Sequence, residues 1–345
     1  MAKRKVTLHD VSQLAQVSIA TVSFVLNKSG NVSDATRQRV LAAVEELGYA
    51  PDIRARSLRS TRIQVIALLF PFSEESLVAS RYFRDIIASV CGTASAMDYK
   101  VVVNLLSREK SLATQVREVF SSGLAGGMIL VGPSPHEIET LLEMDVLEGH
   151  PIILLSATAN DATLSYIDVD NRGAMFQAVE HFVRLGHTRI AYVTPVLTDS
   201  HAYQRLNGYI EAMQAHGLSD QTQICVVPIQ LGDDTPLERL LEGKPTAVIA
   251  FDDLRALQVH GFLLRKGFHI PEDVALIGFD NEEFGMHLSP RLSTFPQPFT
   301  EMGTLAVQRL IQQIEDPSLP IYQHIFPMSI LVRETCGAYP KENAL

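Results

Sequence analysis

Hydroxyl side chains cluster around the start of a short apolar segment near the N-terminus. Ser18, Thr21 and Ser23 lie within six residues, and Ser18 immediately precedes a run with helical spacing over 19–26. A hydroxyl at a helix N-cap satisfies backbone N–H groups, and a helix N-terminus attracts phosphate oxygens. These side chains therefore suit contacts to a phosphate backbone. The alternative is that they only cap the helix.

Patterns for catalysis and metal binding are missing from the sequence. It contains no GxGxxG, GxxxxGK[ST], HExxH or GxSxG, and its histidines have no ligand spacing. The paired acids Asp168/Asp170 and Asp252/Asp253 are two or fewer residues apart and are expected to point to opposite faces or into loops. Nothing combines a nucleophile, a base and oxyanion donors. We therefore expect no enzyme, no metal site and no cofactor.

Charge is distributed unevenly along the 345 residues. The net charge is −10, yet residues 1–62 hold ten basic and five acidic side chains, which leaves −15 for the remainder. A basic head on an acidic body suggests a head that meets a polyanion. Three widely spaced cysteines predict no disulfide, and no apolar run is long enough to span a membrane. The basic N-terminus is not followed by the apolar region of a signal peptide, so we expect a cytoplasmic protein.

The apolar spacing in the head predicts a helix-turn-helix. Helices are expected over about 8–14 and 19–26, with Leu14 among the inward residues, and over 34–47, with Leu41 inward. The second helix carries mostly small or hydroxylated side chains on its other face, which suits a helix that enters a major groove. Residues 51–62 have little apolar surface and read as a hinge that folds on contact.

From residue 63 onward, eleven buried aliphatic runs alternate with helix-length segments. This pattern predicts two doubly wound parallel-sheet lobes with ligand space between them. The expected organisation is a helix-turn-helix domain over 1–50, a hinge over 51–62, a first lobe over 63–161 and 291–322, and a second lobe over 162–290 and 323–340.

The order of these features resembles the lactose-repressor/galactose-repressor family of bacterial transcription regulators. TLHDVSQLAQVSIATVSFVLN matches the family pattern TxxDVAxxAGVSxxTVSxVLN, and VSDATRQRVLAAVEELGY and PDIRARSL continue the match. IDVDNRGA, RLGHTRIAYV, IPEDVALIGFDN and PRLSTFPQP follow in family order. The resemblance implies an all-α head with a hinge helix and a body like a periplasmic binding protein.

The resemblance also implies which residues contact DNA. Ile19, Ala20 and Phe24 match the base-reading positions, and Leu58 matches a leucine wedged into the minor groove. Many relatives carry Arg where Phe24 stands, so Phe24 is expected to contact a thymine methyl or a sugar edge. Gln16 stands in the turn where the family usually has Gly, and at a positive φ it would strain the backbone by about 1 kcal/mol. The full set is Thr7, Ser18, Ile19, Ala20, Thr21, Ser23, Phe24, Asn27, Ser33, Thr36, Tyr49, Ala55, Arg56 and Leu58.

In the body, the resemblance implies an effector site between the lobes. Arg205 and Asp280 are the foremost candidates, because an Arg opposite an Asp can hold sugar hydroxyls or a carboxylate by paired hydrogen bonds. The alternative is a structural ion pair, and His201 alone would fit a solvated loop. The full set is Tyr82, Phe83, Asp170, Asp199, His201, Arg205, Asp253 and Asp280.

These features together predict a repressor that binds a pseudo-palindromic operator in double-stranded DNA as a homodimer. A small molecule, a sugar or sugar derivative by expectation, would control it from the cleft, as inducer or as corepressor. The C-terminal stretch RETCGAYPKENAL lacks leucine heptads, so no coiled-coil tail is expected. A solute-binding protein without a transcriptional role is the alternative, against which the basic head counts.

Overall fold

The computed structural model describes residues 6–26, 32–49, 63–70, 81–107, 109–143, 149–159, 163–195, 200–227 and 234–338. The chain divides into two compact units, Met1–Arg62 and Ile63–Leu345. The predicted hinge over 51–62 lies outside the described residues. The same is true of the predicted site residues Asn27, Ala55, Arg56, Leu58 and Asp199.

Three helices form the described part of the first unit: α1 (Leu8–Ala15), α2 (Ile19–Leu26) and α3 (Asp34–Leu47). Valines from all three helices meet in its small core, where Val11, Val22 and Val40 are completely buried. Leu14 and Leu41 are 43% and 49% exposed, so the expectation that they point inward is wrong. The core of so small a unit is filled by its valines and alanines, which leaves these two leucines at its surface.

The turn between α1 and α2 contains a residue in the left-handed conformation. Gln16 ends α1 with a φ of 53°, and its backbone N–H donates to the carbonyl oxygens of Gln13 and Ser12. A non-glycine residue in this region costs roughly 1 kcal/mol relative to glycine. The strain expected for Gln16 is therefore present in the turn.

The first sheet of the second unit has six parallel strands in the order β10-β5-β4-β3-β1-β2. Helices cover both of its faces, α4 and α11 on one side and α5 and α6 on the other. The strands are β1 (Val65–Phe70), β2 (Lys100–Leu105), β3 (Gly127–Val131), β4 (Ile152–Leu155), β5 (Ser165–Val169) and β10 (Gln323–Phe326). The helices are α4 (Arg81–Ala96), α5 (Leu112–Ser121), α6 (Pro135–Leu142) and α11 (Phe299–Glu315).

The second sheet has four parallel strands in the order β7-β6-β8-β9. Helices α7 and α8 pack on one face, and α9 and α10 on the other. The strands are β6 (Ile190–Thr194), β7 (Gln223–Val226), β8 (Ala247–Ala250) and β9 (Ala275–Ile277). The helices are α7 (Asn171–Arg184), α8 (Ser200–Ala215), α9 (Thr235–Glu242) and α10 (Asp253–Arg265).

Two strands belong to a different sheet from the one that the sequence pattern indicates. β5 and β10 fall in the ranges expected for the second lobe, but they pair with each other in the first sheet, and β5 also pairs with β4. A buried aliphatic run indicates a strand but does not specify which strand pairs with it, which explains why the predicted sheet differs from the observed one. The run 292–295, predicted as a strand, forms only isolated bridges to the second sheet and its flanking chain.

The chain crosses between the two sheets three times. It passes from β5 directly into α7, returns from the bridge at Pro296 into α11, and crosses again from β10 to Leu331, which pairs with Thr294. Two of these crossings leave the carboxyl end of a strand. In parallel sheets, the carboxyl ends of the strands are where ligands bind. The polar side chains near these crossings are therefore the candidates for an effector site.

Candidate DNA-binding surface and effector site

Paired hydroxyls cap the helices of the first unit. The hydroxyls of Ser18 and Thr21 are 2.8 Å apart, and the Thr21 backbone N–H donates to Ser18 Oγ. Ser33 and Thr36 repeat this arrangement at the start of α3, with their hydroxyls 2.9 Å apart. Thr7 forms a capping box with Asp10 at the start of α1. Four of the predicted phosphate-contacting residues thus lie at the starts of α2 and α3, and Thr7 lies at the start of α1.

The positions of α2 that are predicted to read bases lie at the protein surface. Ile19 and Phe24 are 40% and 47% exposed, and Ala20 is also exposed. Ser23 is partly buried on the same helix, and Tyr49 packs against the core of the unit. Tyr49 therefore packs within the first unit, whereas Ile19, Ala20 and Phe24 form the apolar part of the exposed surface of α2.

In the second unit, Arg205 of α8 is buried and held from several sides. Its Nε donates to Asn171 Oδ1 at 2.8 Å, and Nη1 donates to the backbone carbonyl of Phe251 at 2.5 Å. The guanidinium carbon lies 3.5 Å from the ring centroid of Phe279 and 4.7 Å from that of Phe251. A guanidinium fixed by two hydrogen bonds and two aromatic rings presents its charge in one orientation.

Asp280 lies near this arginine in a strained backbone conformation. Its φ is 103°, and that of Asn281 is 56°. Gln297 Nε2 donates to Asp280 Oδ1 at 2.6 Å. Burial raises the pKa of Asp280 to about 7, although the positive charge of Arg205 pulls that pKa down. Strain and an unfavourable charge at one position are features that functional sites often carry.

His201 and Tyr82 extend the group with aromatic surface. The His201 ring stacks on Phe251 with centroids 5.5 Å apart, and it lies 6.4 Å from the Tyr82 ring. Burial, and then the charge of Arg205, lowers the pKa of His201 to about 3, so this imidazole is neutral. Phe83 is packed between Tyr82 and Phe70 inside the first lobe. The structure therefore brings Tyr82, His201, Arg205 and Asp280 together at the seam between the lobes.

Two predicted aspartates are occupied by internal hydrogen bonds. Asp253 is completely buried, with Oδ1 accepting from Thr294 Oγ1 and Oδ2 from the Glu282 backbone N–H, both at 2.7 Å. Burial, with the nearby charge of Asp280, raises the pKa of Asp253 well above its usual value. Asp170 caps α7 by accepting from the Gly173 backbone N–H. Asp253 therefore holds the backbone at Glu282, and Asp170 holds the backbone at the start of α7.

Sequence reasoning missed several residues that complete this group. Phe279 directly precedes Asp280 in GFDN, and Phe251 lies two positions before Asp253 in FDD, which was the available signal. Asp168 is buried at the end of β5 and accepts from Gln204 Nε2 and Asn171 Nδ2. Burial raises the pKa of Asp168 to about 6. The sequence alone does not show that these side chains converge, because they come from different elements.

A further contact joins the two lobes beside the site. The Arg81 backbone N–H, at the start of α4, donates to Glu282 Oε1 at 2.6 Å, and Arg81 Nη1 donates to the Asn281 carbonyl at 2.9 Å. Glu282 is in turn held by Asp253 through its backbone. The strained segment over 280–282 therefore links the first lobe to the second.

Comparisons with known proteins agree with this organisation. Residues 7–52 match the model of bacterial regulatory proteins of the lacI family, and residues 179–336 match a periplasmic binding protein-like domain. The HTH-type transcriptional repressor PurR of Aliivibrio salmonicida is 31% identical over 323 residues, 90% of this chain and 92% of that protein. The chain belongs to the lacI family of bacterial regulatory proteins.

Other members of the lacI family cover nearly all of the chain. The repressor CytR of Escherichia coli K12 is 28% identical over 97% of both chains. The crystal structure of the lac repressor dimer bound to operator and the anti-inducer ONPF has a TM-score of 0.85 and 25% identity, over 97% of this chain and 100% of that one. The CelR–cellobiose complex has a TM-score of 0.70 and 26% identity, over 96% of this chain and all of that one.

Membership in the lacI family confirms the predicted fold class and the predicted role. The chain is a DNA-binding transcriptional regulator, and none of these comparisons supports the alternative of a solute-binding protein without a transcriptional role. The relatives are regulators rather than enzymes. Within the described ranges, no helix is both long and apolar enough to cross a bilayer.

Proposed function

We propose that this lacI-family chain is a repressor that binds a pseudo-palindromic operator as a homodimer and is controlled by an uncharged, hydroxyl-rich small molecule at the seam of its lobes. The observation that carries this proposal is the buried, hydrogen-bonded Arg205 with the strained, buried Asp280 beside it. The names of the relatives as repressors, the lac repressor dimer on its operator and the CelR–cellobiose complex support it. A repressor of chromosomal DNA acts in the cytoplasm, and it acts by binding rather than by catalysis.

The charge of the site favours an uncharged effector. In the described part of the second unit, the buried charged side chains are two arginines, Arg205 and Arg255, and four carboxylates, Asp168, Asp253, Asp280 and Glu282. Arg255 is paired with Asp252 at 2.7 Å, and Glu282 lies 4.0 Å from the Arg84 guanidinium, which leaves Arg205 as the buried cation beside Asp168, Asp253 and Asp280. Burial already raises the pKa values of Asp168, Asp253 and Asp280, so negative charge is disfavoured here, and an anionic effector, such as a sugar phosphate or a uronate, would add more of it.

Sugar hydroxyls suit this chemistry. One hydroxyl can donate to the Asp280 carboxylate while its neighbour accepts from the Arg205 guanidinium. The stacked His201 and Phe251 rings and the Tyr82 ring provide apolar surface of the kind on which the C–H face of a sugar ring packs. The neutral His201 imidazole can exchange hydrogen bonds with a ligand without adding charge.

Control of DNA binding follows from the position of the site. The effector would contact α8 and the segment over 280–282 from the second lobe and α4 from the first, so it would favour one relative orientation of the lobes. In a dimer that orientation sets the separation of the hinges, where Leu58 is proposed to enter the minor groove between two recognition helices about 34 Å apart. Either induction or corepression is compatible with this arrangement.

The experiment is a thermal-shift screen of the full-length protein against matched neutral sugars, uronates, sugar phosphates and nucleosides. We expect a neutral sugar to raise the Tm of the wild type and to leave the Tm of Arg205→Met and Asp280→Asn unchanged. Arg117→Met and Asp220→Asn serve as matched controls, because Arg117 and Asp220 are exposed and lie outside the site. Stabilisation by sugar phosphates alone, or full stabilisation of both site variants, would refute the assignment.

A further inference from the structure

The exposed face of α2 is apolar at its centre. Val22 and Val25 bury the opposite face, so Ile19, Ala20 and Phe24 are not required to fill the core of the unit. Ala20 and Phe24 are four residues apart and therefore neighbours on the helix surface. The small Ala20 side chain leaves the adjacent flank of the Phe24 ring open.

The hydroxyl groups at the start of this helix already have partners. Ser18 and Thr21 contact each other, and Ser18 Oγ accepts the Thr21 backbone N–H. The exposed residues that the structure describes on and next to α2 are Ser18, Ile19, Ala20 and Phe24. None of these four has a side chain that can form the paired hydrogen bonds by which Arg, Asn or Gln recognise purine edges.

A major groove displays one apolar group that such a surface can recognise, the C5-methyl of thymine. 5-Methylcytosine places the same methyl group at the same pyrimidine carbon. The excess of five positive charges over residues 1–62 indicates that this head meets a polyanion, and the family match over 7–52 identifies it as DNA. The occupant of the exposed face of α2 is therefore a major groove.

We propose that α2 reads operator half-sites through pyrimidine C5-methyl groups, with Phe24 and Ile19 as the specificity-determining residues. The inference rests on the proposed operator binding and adds its base chemistry. It follows that a cytosine at a contacted position becomes a good substitute for thymine when it is methylated at C5. The operator is then sensitive to cytosine methylation as well as to sequence.

The test begins with selection of a duplex from a random pool by the full-length protein. The selected operator is then prepared with deoxyuridine in place of thymidine in both half-sites, which removes only the methyl groups. Burial of one methyl group contributes about a fourfold gain in affinity. Two contacts in each of two half-sites therefore predict that the deoxyuridine duplex binds at least tenfold more weakly.

Protein variants then assign the effect to α2. We expect Phe24→Ala and Ile19→Ala each to reduce the ratio of thymidine to deoxyuridine affinity severalfold. Leu41→Ala is the matched control, since Leu41 is a similarly exposed apolar residue on α3, and it should keep the full ratio. Replacing a contacted thymine by cytosine should weaken binding, and 5-methylcytosine should restore most of it.

The outcomes separate the inference from the function on which it rests. Selection of an operator whose affinity is unchanged by deoxyuridine, or whose methyl dependence survives in both Phe24→Ala and Ile19→Ala, would overturn methyl recognition while leaving operator binding intact. Failure of the folded full-length protein to enrich any duplex would overturn operator binding and the inference with it.

Discussion

Replacing Asp280 with Asn should stabilise the second unit in a pH-dependent way. Burial raises the pKa of this carboxyl from about 3.8 to about 7, so the folded state holds the proton more tightly than the unfolded chain does. The corresponding stability is complete below pH 3.8 and is lost as the pH rises through about 7. Asparagine cannot ionise, it can still accept from Gln297, and it tolerates a positive φ.

The size of the effect follows from the two pKa values. One pKa unit corresponds to about 1.4 kcal/mol, so ionising Asp280 at pH 8 costs the folded state at most about 4 kcal/mol. At pH 5 the same calculation gives a cost of about 2 kcal/mol to the folded state. The stabilisation by Asp280→Asn should therefore be about 2 kcal/mol larger at pH 8 than at pH 5. If solvent enters to hydrate the charge and halves the cost at pH 8, the Tm of Asp280→Asn at that pH still rises by roughly 4 °C.

The assay is thermal unfolding of the full-length wild type and Asp280→Asn between pH 5 and pH 8, without effector. Asp220→Asn is the control, because Asp220 is exposed and should give no pH-dependent difference. Titration of the other buried carboxylates largely cancels in the comparison, except at Asp253, whose pKa falls when the Asp280 charge is removed, which adds to the difference in the same direction. A Tm difference that does not change with pH, or that shrinks as the pH rises, would refute the reasoning.

Three further perturbations test other parts of the structure. Gln16→Gly should relieve the left-handed backbone and slow amide hydrogen exchange at Val22 about fivefold, equivalent to about 1 kcal/mol, whereas faster exchange would contradict the strain. Glu282→Ala should lower the Tm of the second unit by several degrees because it leaves the Arg81 N–H without its charged acceptor, and an unchanged Tm would show that this contact between the lobes is unimportant. Leu58→Ala should weaken operator binding at least tenfold in a gel-shift assay while leaving the body folded. The control is Leu319→Ala, which changes an exposed leucine of the second unit and should not weaken binding. If Leu58→Ala bound the operator as tightly as the wild type, the minor-groove wedge would be removed from the mechanism.

The sequence predicted the elements of this fold better than their partners. The aliphatic run at 165–169 is a strand as expected, whereas the run predicted over 324–332 is a strand only over 323–326, and both strands extend the first sheet. β10 joins this sheet by pairing with β5, whose residues are 157 positions away, and periodicity does not encode such a pairing. Leu14 and Leu41 show that periodicity is also limited within a single unit. Helical spacing alone does not reveal how many apolar side chains the core of a three-helix unit can bury.

For the site, residue type was more informative than position along the chain. Arg205, Asp280, His201 and Tyr82 converge at the seam, and Gln16 adopts the positive φ expected from its place in the turn. Asp253 has the right residue type, yet both of its oxygens are occupied by Thr294 and the Glu282 backbone. Whether an acidic side chain faces a ligand or its own fold depends on the hydrogen-bond partners that the tertiary structure supplies.

In the proposed function, a molecule bound beside Arg205 controls operator binding. The most direct measurement is the operator affinity of the wild type and of Arg205→Met, each with and without a saturating amount of the sugar identified in the thermal-shift screen. The sugar should change the operator affinity of the wild type at least tenfold. Arg205→Met should bind the operator as the sugar-free wild type does, whether or not the sugar is present. An unchanged wild-type affinity, or an equal response of Arg205→Met, would rule out control of operator binding from this site.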